Sequence, residues 1–136
     1  MLPALIDKHL QRMDGGAKLL KVPFPEKEYI KELVEKAILE SELKDAYVKI
    51  CLLSDGESVF HKTAKTSQVL VIIREYEPPK QSVKIKVNSF KRISESPLLN
   101  VKSLSYLENI QARREASRSG FDESLFLNER DEAMEC

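Results

Sequence analysis

The chain has 136 residues, 42% of them hydrophobic and 32% charged, with 22 Lys and Arg set against 22 Asp and Glu. That length supports a real buried core, and a formal net charge of zero excludes a general polyanion binder. No apolar run approaches the roughly 20 residues that span a bilayer, and Met1-Leu2-Pro3 lacks the charged head and long apolar core of a signal peptide.

Ala4 to about Leu20 is predicted helical, because Leu5, Ile6, His9, Leu10 and Met13 recur at helical steps. Gly15-Gly16 is expected to break or kink it, and His9 to pack or support the helix. Val22-Pro23-Phe24-Pro25 is a turn, since each proline restricts itself and its predecessor. Pro25, with Glu26 and Glu28 suited to a helix N-terminus, starts a second helix that ends near Glu42. Tyr29, Ile30, Leu33, Val34, Ala37 and Ile38 form its expected buried stripe.

From Ala46 the period shortens. Tyr47 to Leu53 is strand-like, Ser54-Asp55-Gly56-Glu57 turns, and Ser67 to Tyr76 is a strand. The continuous run Val69-Leu-Val-Ile-Ile73 predicts burial on both faces. Cys51 within the first strand is expected as a buried reduced thiol in a cytoplasmic protein, and neither Cys51 nor Cys136 has metal-ligand spacing, so no metal site is expected. Glu77-Pro78-Pro79-Lys80 marks a linker. Val83-Lys-Ile-Lys-Val87 alternates as a strand whose lysine face is wet. Ser94 to Asn100 is irregular. Leu104 to about Ser119 is predicted helical, with Leu107, Ile110, Ala112 and Ala116 available for packing and Gly120 as C-cap. Ser124 to Leu127 is a short strand, Asn128 to Asp131 a turn, and Glu132 to Glu135 the start of a paired strand.

Lys102 has the unusual setting. It lies in an uncharged stretch, with Ser96-Pro-Leu-Leu-Asn-Val before it and Ser-Leu-Ser-Tyr-Leu after it. Burial of an amine disfavours its charged form, and such amines form imines with carbonyl compounds. The remaining basic residues, among them Lys84, Lys86, Lys91, Arg92, Arg113, Arg114 and Arg118, are interleaved with Glu and are expected to be solvated faces, not a nucleic-acid surface.

Val101-Lys102-Ser103-Leu104-Ser105-Tyr106-Leu107, then Ala112-Arg-Arg-Glu-Ala116, Gly120-Phe-Asp-Glu-Ser-Leu-Phe-Leu-Asn128 and Glu135, resembles the fold-type-IV pyridoxal-phosphate enzymes. These are the class IV aminotransferases: branched-chain and D-amino-acid aminotransferases and aminodeoxychorismate lyase. Leu5-Ile-Asp-Lys-His9-Leu-Gln-Arg12-Met resembles the family's helix carrying His-x-x-Arg. The resemblance implies an α+β protein with the D-amino-acid aminotransferase-like fold. A small N-terminal domain would cover residues 1–77, a linker and crossing strand residues 78–100, and the start of the mainly β cofactor domain residues 101–136. It implies pyridoxal 5'-phosphate held covalently by Lys102, its ring nitrogen facing Glu135, its phosphate held by Arg12 and its phenolic oxygen bonded by Tyr106. Freed Lys102 would be the base at the substrate Cα. An amino-acid-like small molecule is the implied substrate and a homodimer the implied assembly, with neither nucleic acid nor membrane as partner.

Family members begin with strands ahead of the His-x-x-Arg helix and continue beyond the glutamate into a second phosphate-binding loop. The chain is therefore expected to be a fragment covering the middle half of a member, binding cofactor weakly or not at all by itself. Where D-amino-acid aminotransferases place an Arg-Gly pair, Ser54-Asp55-Gly56-Glu57 argues against that specificity. The short Lys-Ser-Leu-Ser-Tyr spacing looks most like aminodeoxychorismate lyase, which releases pyruvate and forms 4-aminobenzoate for folate biosynthesis. A branched-chain or D-amino-acid aminotransferase is the alternative, and a non-catalytic oligomerisation module is the alternative of another class.

Overall fold

The structure, a computed structural model, describes residues 2–55 and 62–135. The chain forms two compact units, Met1–Pro78 and Pro79–Cys136. The division falls between the two prolines of the expected linker, where neither residue can continue a helix or donate to a sheet.

The first unit opens with α1 (Ile6–Leu19), whose buried residues are Ile6, Leu10 and Ala17. Gly15 and Gly16 lie inside this helix and do not break it. Two interior glycines cost about 1 kcal/mol each relative to alanine, less than the buried stripe returns. Asp14 and Lys18 add a 2.9 Å ion pair across the same turn. The helix closes with Lys21 at φ 53°, which lets the Val22 N–H reach the Ala17 carbonyl at 2.9 Å.

Helix α2 (Lys27–Ser41) buries Ile30 and Val34, a narrower stripe than expected because Tyr29 is half exposed. Lys31 reaches Asp7 of α1 at 2.7 Å, and that carboxylate raises its pKa. Strands β1 (Ala46–Ser54) and β2 (Ser67–Glu75) pair antiparallel from Ala46↔Glu75 to Ser54↔Ser67. Ile6, Leu10, Ile30 and Val34 form the core, against which Val48, Ile50, Val69 and Val71 pack. Leu10, Ile30 and Val34, which are fully buried, each contribute about 1.5–3 kcal/mol. The expected burial of β2 on both faces is not met. Among the described residues two strands make this sheet, the core helices take alternate residues, and Leu70 between them is exposed. Cys51 is a buried free thiol, as expected. Asp55 accepts hydrogen bonds from the Lys65 N–H, the Thr66 N–H and the Thr66 hydroxyl. The Gly56-Glu57 half of that turn lies outside the described residues.

The second unit contains β3 (Ile85–Val87), a 3-10 turn (Pro97–Asn100), α3 (Leu107–Arg118), β4 (Glu123–Leu127) and β5 (Ala133–Glu135). The sheet order is β3-β4-β5. β3 runs parallel to β4 in the register Lys86↔Ser124, and β5 runs antiparallel with a register shift between Phe126 and Leu127. Ala112 and Ala116 of α3 and Ser124 and Phe126 of β4 are buried, the small alanines letting the helix lie close over the strand.

The expected wet and dry faces of β3 are inverted. Lys86 reaches Glu115 of α3 at 2.8 Å and the Ser119 hydroxyl at 3.1 Å, while Ile85 and Val87 are 44% and 53% exposed. Its aliphatic stem can lie under the helix because its ammonium is paired at the edge, and Lys86 foremost, then Ser89, holds the Glu115 carboxyl below its ordinary range. Leu107 and Ile110, expected to pack, are also exposed. α3 ends as expected: Gly120 has φ 78°, and the Phe121 N–H bonds the Ala116 carbonyl at 3.0 Å. Asn128 makes the β4–β5 turn, its Oδ1 accepting from the Arg130 and Glu132 N–H groups at 2.9 Å each.

Candidate functional site

Lys102 and Tyr106 lie in the connection between β3 and α3. Pro97 stands at the start of the 3-10 turn, where its missing N–H is no loss. The chain then winds through short turns, with Val101 N–H to Leu98 O at 3.2 Å and Tyr106 N–H to Leu104 O at 2.9 Å. Helix α3 starts at Leu107, not at Leu104. The coil brings the Lys102 Nζ to 2.9 Å from the Tyr106 hydroxyl and 5.6 Å from its ring centre. Both side chains are exposed. The burial inferred from the uncharged stretch is therefore not supplied by the described residues, since Leu98, Leu104 and Leu107 turn outward too.

A carboxylate steadies this connection. Glu129, in the β4–β5 turn, accepts from the Ser94 hydroxyl at 2.5 Å and the Ser94 N–H at 2.9 Å. These bonds, the hydroxyl first, hold its pKa down at about 2.

Glu135 closes β5, opposite Phe126. Its Oε1 is ion-paired with Nη1 of Arg92, and among the described residues Oε2 takes no hydrogen bond. Arg92 was expected on a solvated face; its side chain is only 11% exposed. The Arg92 Nη2 donates to Asn109 Oδ1 at 2.7 Å. Its Nε lies 3.3 Å from Glu108 Oε2, in contact but without hydrogen-bond alignment. Sequence reasoning missed Arg92, Glu108 and Asn109. The signal available was faint: an Arg two residues after Phe90 in a segment with no periodicity.

Arg12 belongs to the first unit and the other three residues to the second. It is exposed on α1, 3.5 Å from the Nδ1 of His9. His9 is exposed as well, so it does not pack into the core. Its neighbourhood is Arg12, three residues on. The shallow depression along α2, lined by Glu32, Glu35, Lys36, Leu39 and Glu40, contains none of the four residues. Among the described residues there is no cluster of metal-ligating side chains and no helix long and apolar enough to cross a membrane.

The family model for amino-transferase class IV matches residues 2–136. An aminodeoxychorismate lyase of Bacillus subtilis (strain 168) is 28% identical over 134 residues, covering 93% of this chain and 46% of that protein. A crystal structure of a candidate 4-amino-4-deoxychorismate lyase from Legionella pneumophila superposes with a TM-score of 0.89 at 26% identity, over 96% of this chain and 50% of that one. A branched-chain amino acid aminotransferase from Thermobaculum terrenum in its pyridoxal-phosphate form gives 0.79 at 20% identity, over 94% and 44%. The chain thus spans about half the length of the relatives it matches.

Proposed function

Because the chain belongs to the class IV aminotransferase family, we propose that its protein is a pyridoxal-phosphate enzyme of the aminodeoxychorismate lyase type, with Lys102 as cofactor lysine and base. The observation that carries this reading is the Lys102 Nζ at 2.9 Å from the Tyr106 hydroxyl. The 28% identity to a lyase supports the lyase over a transaminase.

The residues present fit the cofactor. An exposed amine beside a phenol suits a carbonyl carbon with a neighbouring ring oxygen. The uncommitted Oε2 of Glu135 suits a ring nitrogen, whose positive charge a carboxylate stabilises. The Arg12 guanidinium suits a phosphate, onto which its planar fork fits better than an ammonium does. Bound pyridoxal phosphate supplies the electron sink for charge left at the substrate Cα. Lys102 would hold the cofactor through Nζ, and its amine, when free, would serve as the base for the substrate Cα proton. In the lyase reaction that proton loss precedes departure of pyruvate and formation of 4-aminobenzoate. In a transaminase the same amine would serve both to take up and to give back the proton. Tyr106 holds the Lys102 amine through its hydroxyl and would offer that phenol to the cofactor's ring oxygen.

The test is addition of pyridoxal phosphate to the intact protein. A visible imine band is expected, lost on borohydride reduction as the linkage becomes a secondary amine, and missing in Lys102→Ala. With aminodeoxychorismate, pyruvate and 4-aminobenzoate should then appear in equal amounts. A band that persists in Lys102→Ala refutes the lysine assignment. Amino transfer without pyruvate release refutes the lyase and leaves the transaminase.

A further inference from the structure

We propose that Arg92 is the positioning residue that aims Glu135 and ties it to the helix start carrying Tyr106, so that the carboxylate and amine ends of the site keep one spacing. The significance of that aim rests on the reading above, in which Glu135 faces the ring nitrogen.

The argument starts from where the guanidinium lies. Its carbon sits 3.9 Å from the centre of the Phe126 ring, and stacking on an aromatic face leaves the in-plane N–H groups pointing outward. One edge meets Glu135 of β5, the next meets Asn109, and the third faces Glu108, the last two in the first turn of α3. The Arg92 main chain is held by its N–H to the Leu127 carbonyl of β4 at 2.9 Å. One side chain thus joins β4, β5 and the start of α3.

Stability is a weak reason for this arrangement. Glu135 and Glu108 are 51% and 66% exposed, and ion pairs with exposed partners contribute little. Removing a guanidinium from water is costly unless its hydrogen bonds are replaced. Orientation is the stronger reason. β5 has three residues and meets β4 across a register shift, so main-chain pairing alone leaves Glu135 loosely held. With Oε1 fixed by Arg92, Oε2 is left in one direction for a ligand. Because Asn109 and Glu108 follow Tyr106 by three and two residues, the same fork sets the distance from Glu135 to the Lys102–Tyr106 pair.

The experiment uses the intact protein with Arg92→Lys, which keeps the charge and loses the fork, alongside Glu135→Gln and the double variant. In the cofactor-free state, amide exchange at Ala133–Glu135 should accelerate about tenfold in Arg92→Lys, with β1 and β2 unchanged. In the loaded state, the ring-nitrogen signal of 15N-labelled pyridoxal phosphate should move as it does in Glu135→Gln, and the double variant should move it no further. Unchanged exchange at β5 overturns the inference. So does an unmoved nitrogen signal in Arg92→Lys when Glu135→Gln moves it. If Glu135→Gln itself leaves the signal in place, the assignment of Glu135 to the ring nitrogen fails, and exchange at β5 alone decides the role of Arg92. Should Arg92→Lys not fold, Asn109→Ala removes one tine of the fork and should give a smaller acceleration; its absence overturns the inference.

Discussion

Phe126→Ala should open the second unit and leave the first intact. Phe126 is 1% exposed, with Phe90 edge-on at 5.6 Å and 66° and the Arg92 guanidinium on its face at 3.9 Å. Truncating a buried phenylalanine costs about 3–5 kcal/mol. At 1.4 kcal/mol per tenfold, opening of β4 and β5 becomes roughly a hundred- to several-thousandfold more frequent. Phe126→Leu keeps most of the apolar volume and loses the ring contacts, for about 1–2 kcal/mol. The chain has no Trp, so the assay is peptide-resolved hydrogen exchange over Glu123–Glu135, with β1 and β2 as internal reference. A change at β4 and β5 below about tenfold, or an equal change in β1 and β2, would falsify the assignment of Phe126 as the centre of a separate core.

Gly15→Ala should raise stability by about 0.5–1 kcal/mol, since a methyl there meets nothing within 4 Å. Gly120→Ala should lower it by about 1–2 kcal/mol, because φ is 78°; thermal melts of the two variants moving in the same direction would contradict this. The Glu129 clamp predicts acid sensitivity. Its folded pKa lies below the ordinary 4.5, at about 2, so its contribution is whole above 4.5 and drains away as pH falls toward 2. Glu129→Gln should flatten that part of the stability-versus-pH curve, and an unchanged curve would show that Ser94 is not held through the carboxylate.

Local chemistry determined much of this protein from sequence alone. Gly120 ends α3 because only a residue without Cβ readily takes φ 78°. Asn128 makes the last turn because its short amide can cap its own loop, and Pro78-Pro79 divides the units because proline interrupts both kinds of backbone ladder. The nomination of Lys102, Tyr106, Glu135 and Arg12 was likewise available, through an ordered likeness to a family. What only tertiary structure decided is which side of each element faces inward. The alternation Val83-Lys-Ile-Lys-Val87 marks two faces and cannot say which lies under α3; Lys86 lies there because Glu115 and Ser119 wait for its ammonium. Gly15-Gly16 stays helical because Ile6, Leu10 and Ala17 are buried on either side of it. Lys102 is exposed even though its neighbours in sequence are uncharged, since leucines two to five residues away turn outward with it. Arg92 is the opposite case, a charged side chain drawn in. Its partners at 108, 109, 126 and 135 meet only when α3, β4 and β5 are assembled, and a guanidinium leaves water only where such partners are already in place.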